Sequence, residues 1–173
     1  MTPCLRPVRN EDRDGLIELV AAAFDEYPGC VLDLDGLDED LLAPGDEATR
    51  RGSPWWVVSE GGRIVATIGA GPVRSDGHVE LKRLYVANDQ RRRGLATTLV
   101  QLVEHHARTV GATAVDLWSD QRFAAAHALY ERLGYLDTGE RRDLHDPSDT
   151  TERRFRRDLV GARTRTLEAA AAS

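Results

Sequence analysis

Residues 78–111, "HVELKRLYVANDQRRRGLATTLVQLVEHHARTVG", limit the folds open to this chain more than any other stretch. The first part reads as a strand. After "NDQRRRG" the apolar residues Leu95, Leu99, Leu102, Val103 and Val110 recur at helical spacing, and Gly111 supplies the stop. A strand that runs through a short loop straight into a helix leaves the helix's first-turn N–H groups, which lack intrahelical acceptors, at the end of the strand. The macrodipole adds partial positive charge there, so main chain alone can hold an anion. Gly94 removes a Cβ from the approach, Ala96 is nearly as small, and Arg91, Arg92 and Arg93 add long-range attraction. A pyrophosphate is the natural guest. A plain strand-to-helix connection with solvent-facing arginines uses the same residues, and the stretch is neither Gly-Lys-Ser/Thr nor G-x-G-x-x-G. The surrounding pattern has to decide.

That pattern predicts a mixed sheet. Residues 3–9 read as a short strand, and Asn10 as the cap of a helix running to about Phe24. The segment 25–49 is acidic, without Lys or Arg, and holds a short helix near 36–43. "WWVVSE" and "GGRIVATIGAGPV" are two strands joined at a Gly-Gly turn, and "HVELKRLYVA" extends them into an antiparallel meander. "TAVDLW" is a buried strand, and the following helix carries Ala126, Leu129, Tyr130 and Leu133 at i, i+3, i+4 and i+7 before Gly134. Two polar-faced strands then flank the turn "HDPSD". The order is β-α-α-β-β-β-α-β-α-β-β, an α/β (α+β) arrangement in which helices flank a mixed, mostly antiparallel sheet. One domain is expected over residues 1–159, with a loose tail at 160–173.

A net charge of −6 argues against a nucleic-acid partner, because affinity for a phosphate backbone comes from concentrated positive charge. No run reaches the length of a membrane span and the opening residues lack a signal peptide's apolar stretch, so the expectation is a cytoplasmic protein without a membrane partner. Cys4 and Cys30 stand apart from any CxxC or Cys/His spacing and read as reduced thiols, with no metal site.

"ELKRLYVANDQRRRGLATTLV" resembles the acetyl-CoA-binding core of the GNAT superfamily of N-acetyltransferases. In that family a hydrophobic strand leads to Arg/Gln-x-x-Gly-x-Gly/Ala and a helix, and Arg91, Gly94 and Ala96 fill the pattern. A second family signature, a strand followed by a helix ending in Leu-Tyr-x-x-x-Gly-Phe/Tyr, is matched by "VDLW" and "ALYERLGY". The resemblance covers roughly residues 5 to 159.

The resemblance implies a GNAT-like fold and direct acetyl transfer from acetyl-CoA to a primary amine, small-molecule or peptide, in a ternary complex. The alternative is a non-catalytic acyl-CoA-binding sensor of the same fold. Main-chain N–H groups from Arg91, Arg92, Arg93, Gly94, Leu95 and Ala96, with the Thr97 hydroxyl, would hold the pyrophosphate. Leu84, Tyr85 and Val86 would pair with the pantetheine arm, the Leu84 N–H would polarise the acetyl carbonyl, and this strand would splay from the one ending at Trp118. Tyr130 takes the place of the tyrosine that meets the departing thiolate. Glu80 takes that of a general base; with Glu80, Lys82, Leu84 and Val86 on one face of an extended strand it stands about 13 Å from Leu84, so a water relay is expected.

The family often carries an asparagine contacting pantetheine where this chain has Phe123, and Asp120 reads as a helix cap. His127 lies close enough along its helix to orient Tyr130. The resemblance implies an acceptor pocket built from the acidic segment and the "HDPSD" turn, where His145 would assist as a base. The amine's identity and the oligomeric state, a homodimer included, stay open.

Overall fold

The computed structural model describes residues 2–159; the tail expected at 160–173 lies outside them. In chain order the elements are β1 (Cys4–Pro7), α1 (Arg13–Phe24), α2 (Pro44–Arg51), β2 (Trp55–Glu60), β3 (Arg63–Ala70), β4 (His78–Val86) and α3 (Leu95–Thr109). There follow β5 (Ala114–Asp120), α4 (Ala124–Arg132), β6 (Leu136–Asp143) and β7 (Thr151–Asp158). The strands form one seven-stranded sheet in the order β1-β2-β3-β4-β5-β7-β6. Every neighbouring pair is antiparallel except β4 and β5. The mixed, mostly antiparallel architecture read from the sequence is therefore present. In the β2–β3 hairpin Glu60 opposes Arg63, so the turn is Gly61-Gly62, at φ 59° and 82°. A two-residue turn matching strand twist needs positive φ at both positions, which glycine supplies without strain.

The sheet buries both faces. Leu16, Leu19 and Val20 of α1 pack with Trp55, Val57 and Ile64 on one face. Leu99, Val100 and Val103 of α3 pack with Val58, Ala66, Ile68 and Leu81 on the other, where Tyr130, Tyr135 and Phe155 extend the core. Neighbours such as Val57 and Val58 thus serve different cores, as strand alternation requires.

Two local expectations are corrected. Asn10 does not cap α1: residues 10–12 form a 3-10 turn in which the Asp12 carboxylate accepts from the Arg9 N–H (2.8 Å), and α1 begins at Arg13. Asn10 instead accepts from Gly45 and Asp46 N–H at 2.9 and 3.1 Å, capping α2 from across the fold. The helix expected near 36–43 is a 3-10 turn at Glu39–Leu42, and the α-helix follows it, with Pro44 in its first turn.

Candidate active site

β4 and β5 pair at only three positions, His78↔Ala114, Val79↔Val115 and Glu80↔Asp116. Beyond Glu80, β4 keeps β3 as its neighbour and β5 keeps β7, and the two strands part. The opening is a slot walled by strand backbone, in the place where the sequence reading puts the splay.

A bulge shapes its β4 wall. Tyr85 opposes Thr67 and Lys82 opposes Gly69, so Arg83 and Leu84 together face Ile68 and have no partner of their own. Arg83 has φ 53°, which costs a side-chain-bearing residue on the order of 1 kcal/mol. Its guanidinium is gripped by Asp38 at 2.7 Å, Asp40 at 2.5 Å and the Leu37 carbonyl at 3.0 Å, which offsets that strain. The bulge reverses the alternation. Glu80 and Lys82 lie opposite Val79 and Leu81, but Leu84 and Val86 pack on the α3 side and Tyr85 on the α1 side. The expectation that Glu80, Lys82, Leu84 and Val86 share a face is thereby overturned, because strict alternation holds only for an unbulged strand.

At the far end of β4 the chain makes a 3-10 turn, Asn88–Gln90, and enters α3 through Gly94 at φ 79°. The first bond of α3 runs from the Thr98 N–H to the Gly94 carbonyl, 3.0 Å. The Leu95, Ala96 and Thr97 amides therefore have no acceptor within the helix, and no side chain caps this end. A Cβ built on Gly94 would meet nothing within 4 Å, so the left-handed backbone, not crowding, demands glycine here, and the space above the amides is open. The arginines are less free than the sequence implied. Arg91 binds the Val86 carbonyl (3.1 Å) and Glu26 (2.6 and 2.7 Å), and Arg93 donates to Gln90 at 2.5 Å.

From Arg91 and Ala96 a cavity of about 180 Å³ runs past Val86 and Leu84 to Tyr130. A second, of about 480 Å³, shares Leu84, Tyr85, Phe123 and Tyr130 and opens toward Glu80, Asp120 and Glu152. Tyr130 thus stands where the two meet. It is buried, its ring lies 5.8 Å from Phe155 and 5.9 Å from Tyr135, and its hydroxyl has no hydrogen-bond partner among the described residues. Burial pushes the phenol well above its ordinary pKa, and Tyr85 adds to the shift. Tyr85 is itself pushed up to about 12 by burial, against the pull of Arg83. His127 does not orient Tyr130: its ring nitrogens contact the Ser119 hydroxyl and Arg153, each at 3.2 Å. Asp120 accepts from Arg122 main chain (2.9 Å) and guanidinium (2.6 Å), and no side chain caps α4. Phe123 packs on Tyr27, with ring centroids 4.6 Å apart, and gives the shared wall an apolar surface.

The larger cavity lies between the acidic segment and the β6–β7 turn, which Ser148 ties together by bonds to the Val31 N–H (2.8 Å) and carbonyl (3.1 Å). Much of the acidic charge is already engaged, Asp38 and Asp40 on Arg83 and Glu26 on Arg91. His145 is not part of the lining. Glu80 faces Lys82 at 3.5 Å and Arg74 at 3.6 Å. The sequence reading missed Glu152, whose Oε2 accepts from Arg142 Nε at 2.6 Å. Burial pushes its carboxyl up against the opposing pull of Arg142, and Glu80 and Asp120 push the same way as burial. Only its place opposite Asp120 in the β5–β7 register brings it into the site, and "TERRFRRD" alone does not announce that. Among the described residues no group of three His, Cys, Asp or Glu side chains is placed to hold a metal ion, and no helix is long and apolar enough to cross a membrane.

The fold has counterparts among solved structures. An acetyltransferase of the GNAT family from Staphylococcus aureus Mu50 superposes with a TM-score of 0.76 over 91% of this chain and 99% of its own, at 18% identity. A Salmonella typhimurium protein solved with its cofactor acetyl-CoA gives 0.69 over 92% and 95%, at 19% identity. In sequence, N-acetyltransferase 8 of Rattus norvegicus is 39% identical over 94 residues, which is 52% of this chain and 42% of that protein's length. The chain thus matches less than half the length of that relative. The family model for the acetyltransferase (GNAT) family matches residues 16–135, a span that takes in most of α1, the bulged β4, the Gly94 loop and Tyr130. The chain belongs to the GNAT acetyltransferase family.

Proposed function

We propose that the protein transfers an acetyl group from acetyl-CoA to a primary amine by direct attack within a ternary complex. The observation that carries this is the slot between β4 and β5, with Tyr130 lining a cavity on each side of it. The amides from Arg91 to Ala96 and the Thr97 hydroxyl would hold the pyrophosphate, since the open space lies over unpaired N–H groups. The unpaired edge of β4 through Leu84, Tyr85 and Val86 would hydrogen-bond the pantetheine arm as an added strand. The Leu84 N–H, set apart by the bulge, would polarise the acetyl carbonyl. Tyr130 would give its proton to the thiolate as the carbon–sulfur bond breaks. The amine would arrive from the larger cavity, where Glu80 and Glu152 both stand, and pass its proton to a carboxylate there. This reading is of a cytoplasmic reaction.

Release of coenzyme A thiol from acetyl-CoA, followed across a panel of amines, tests the proposal. Turnover with at least one amine is expected. Tight coenzyme binding with no turnover across the panel would favour an acyl-CoA sensor instead.

The anion end has its own test. Gly94→Val puts a β-branched residue where φ is 79° and covers the open amides, so coenzyme A affinity should fall more than about tenfold, a loss of roughly 1.4 kcal/mol. Arg92→Gln and Arg93→Gln should each cost less than about threefold by calorimetry at fixed salt. The reverse ranking would show that side-chain charge, not main chain, holds the anion.

A further inference from the structure

Two carboxylates reach the larger cavity, and their places along β5 differ. Glu80 is level with Asp116, at the last paired position of β4 and β5 and so at the closed end of the slot. Glu152 is level with Asp120, four residues further on, where the strands have parted. That offset is about 13 Å along the strand. Leu84 lies four residues beyond Glu80 on the other wall, and the bulge shortens that to three strand positions, roughly 10 Å. The acetyl group held at Leu84 therefore sits well beyond Glu80 and within about one strand position of the level of Glu152.

Their partners differ too: Glu80 Oε2 stands between two cations, whereas Glu152 is fixed by a single hydrogen bond. The Glu80 carboxylate faces Lys82 and Arg74. Glu152 uses Oε2 for Arg142, and its Oε1 has no hydrogen-bond partner among the described residues. Glu152 and Asp120 lie on the cavity face of the sheet, opposite the face buried by Leu117 and Phe155, while Tyr130 reaches the slot from that buried side. An amine entering over Glu152 would attack the thioester from one face as the thiolate leaves toward Tyr130 on the other.

We propose that Glu152, and not Glu80, is the catalytic residue that deprotonates the acceptor amine; this rests on the transfer reading above. The ammonium N–H bond breaks and an O–H bond forms at Glu152 Oε1. The freed lone pair makes the carbon–nitrogen bond; as the carbon–sulfur bond breaks, Tyr130 protonates the thiolate, the nitrogen sheds its second proton to water, water reprotonates Tyr130, and the Glu152 carboxylic acid returns its own proton to water.

The charged groups around Glu152 fit that role. Arg142 on β6 fixes one oxygen. Asp120 on β5 is paired with Arg122, and Arg154, on the strand of Glu152 itself, with Asp116 and Glu140. From β4, Glu80 faces Lys82, and the Tyr85 phenol is neutral at working pH. Asp38 and Asp40 close on Arg83. Burial raises the Glu152 carboxyl, which strengthens it as a base, and a residue so placed produces an acid limb in kcat/KM.

The test is kcat/KM against pH for wild type, Glu152→Gln, Glu152→Asp and Glu80→Gln, using the best amine from the thiol-release panel. E152Q is expected to fall by about 10²-fold near neutral pH and to recover toward wild type as pH nears the amine's own pKa, where free amine needs no base. E152D should lie between wild type and E152Q. E80Q should keep the acid limb whatever its rate. Coenzyme A binding within about threefold of wild type shows that E152Q is folded; if it is lost, the E152D profile decides in the same way. A uniform fall across pH in the Glu152 variants, or an acid limb lost only in E80Q, would overturn the assignment while leaving acetyl transfer intact. A wild type without turnover would instead overturn the transfer reading itself, and this inference with it.

Discussion

Tyr130→Phe is expected to lower kcat by about 10³-fold while leaving coenzyme A affinity within about twofold and the thermal midpoint unchanged within error. These outcomes follow from one fact. The hydroxyl has no protein partner among the described residues, although the ring is packed against Tyr135 and Phe155. Deleting an unpartnered hydroxyl removes no folded-state hydrogen bond, so stability should hold. Among the described residues Tyr130 and Tyr85 are the two phenols that line both cavities, and Tyr130→Phe removes the one proposed as the donor to the departing thiolate. A purely structural tyrosine would show the opposite split, a lower melting point with the rate kept. The pH dependence gives a second check. Burial raises the phenol well above its ordinary value of about 10, so the protonated donor persists through the alkaline range and wild-type kcat should show no descending limb below about pH 10. A Tyr130→Phe variant within about threefold of wild-type kcat would remove Tyr130 from the reaction.

The strand–loop–helix at 78–111 was legible because its signals are local: a change of period, a polar loop ending at a glycine, and a helical run of apolar residues after it. The same holds for the Gly61-Gly62 hairpin and for Tyr130, whose spacing with Ala126, Leu129 and Leu133 fixes its inward face. What escaped the sequence was set at a distance. Asn10 looked like the cap of the helix that follows it, but its partners are 35 and 36 residues away at Gly45 and Asp46. Arg83 carries no sign of a left-handed backbone; the bulge exists because Asp38 and Asp40, in a segment read only as acidic, come across the sheet to hold it. Glu152 is one of several charged residues on a polar strand, and only the β5–β7 register selects it. That part of the proposed site thus depends on which strand lies beside which, a property that periodicity does not encode.

Asp116 shows how that tertiary information is held in place. Its carboxylate is fully buried at the last paired position of β4 and β5, where the slot begins. Oδ2 accepts from Arg74 (2.6 Å), which precedes β4, and from Arg154 on β7. Oδ1 has no partner among the described residues, and His78 Nδ1 lies 3.8 Å from Oδ2. Removing one partner of a buried ionic cluster leaves the other charges uncompensated, so Asp116→Ala should cost about 3–5 kcal/mol in urea unfolding at neutral pH. That is a large part of the 5–15 kcal/mol that roughly bounds a domain of this kind. Burial alone would raise the Asp116 carboxyl, but the hydrogen bonds from Arg74 and Arg154 outweigh it and hold the carboxyl below its ordinary value. The sign follows directly. A folded-state value depressed below the unfolded one, about 3.9, gives stability that is complete above that pH and is lost as pH falls toward the folded value. The gap between wild type and Asp116→Ala should therefore be constant from about pH 5 to 8 and shrink below about pH 4. A gap under about 1 kcal/mol, or one unchanged by acid, would mean that the cluster is not what pins the closed end of the slot. If the gap is as large as expected, the spread of β4 from β5 depends on one carboxylate that holds the strands together just short of where they must part.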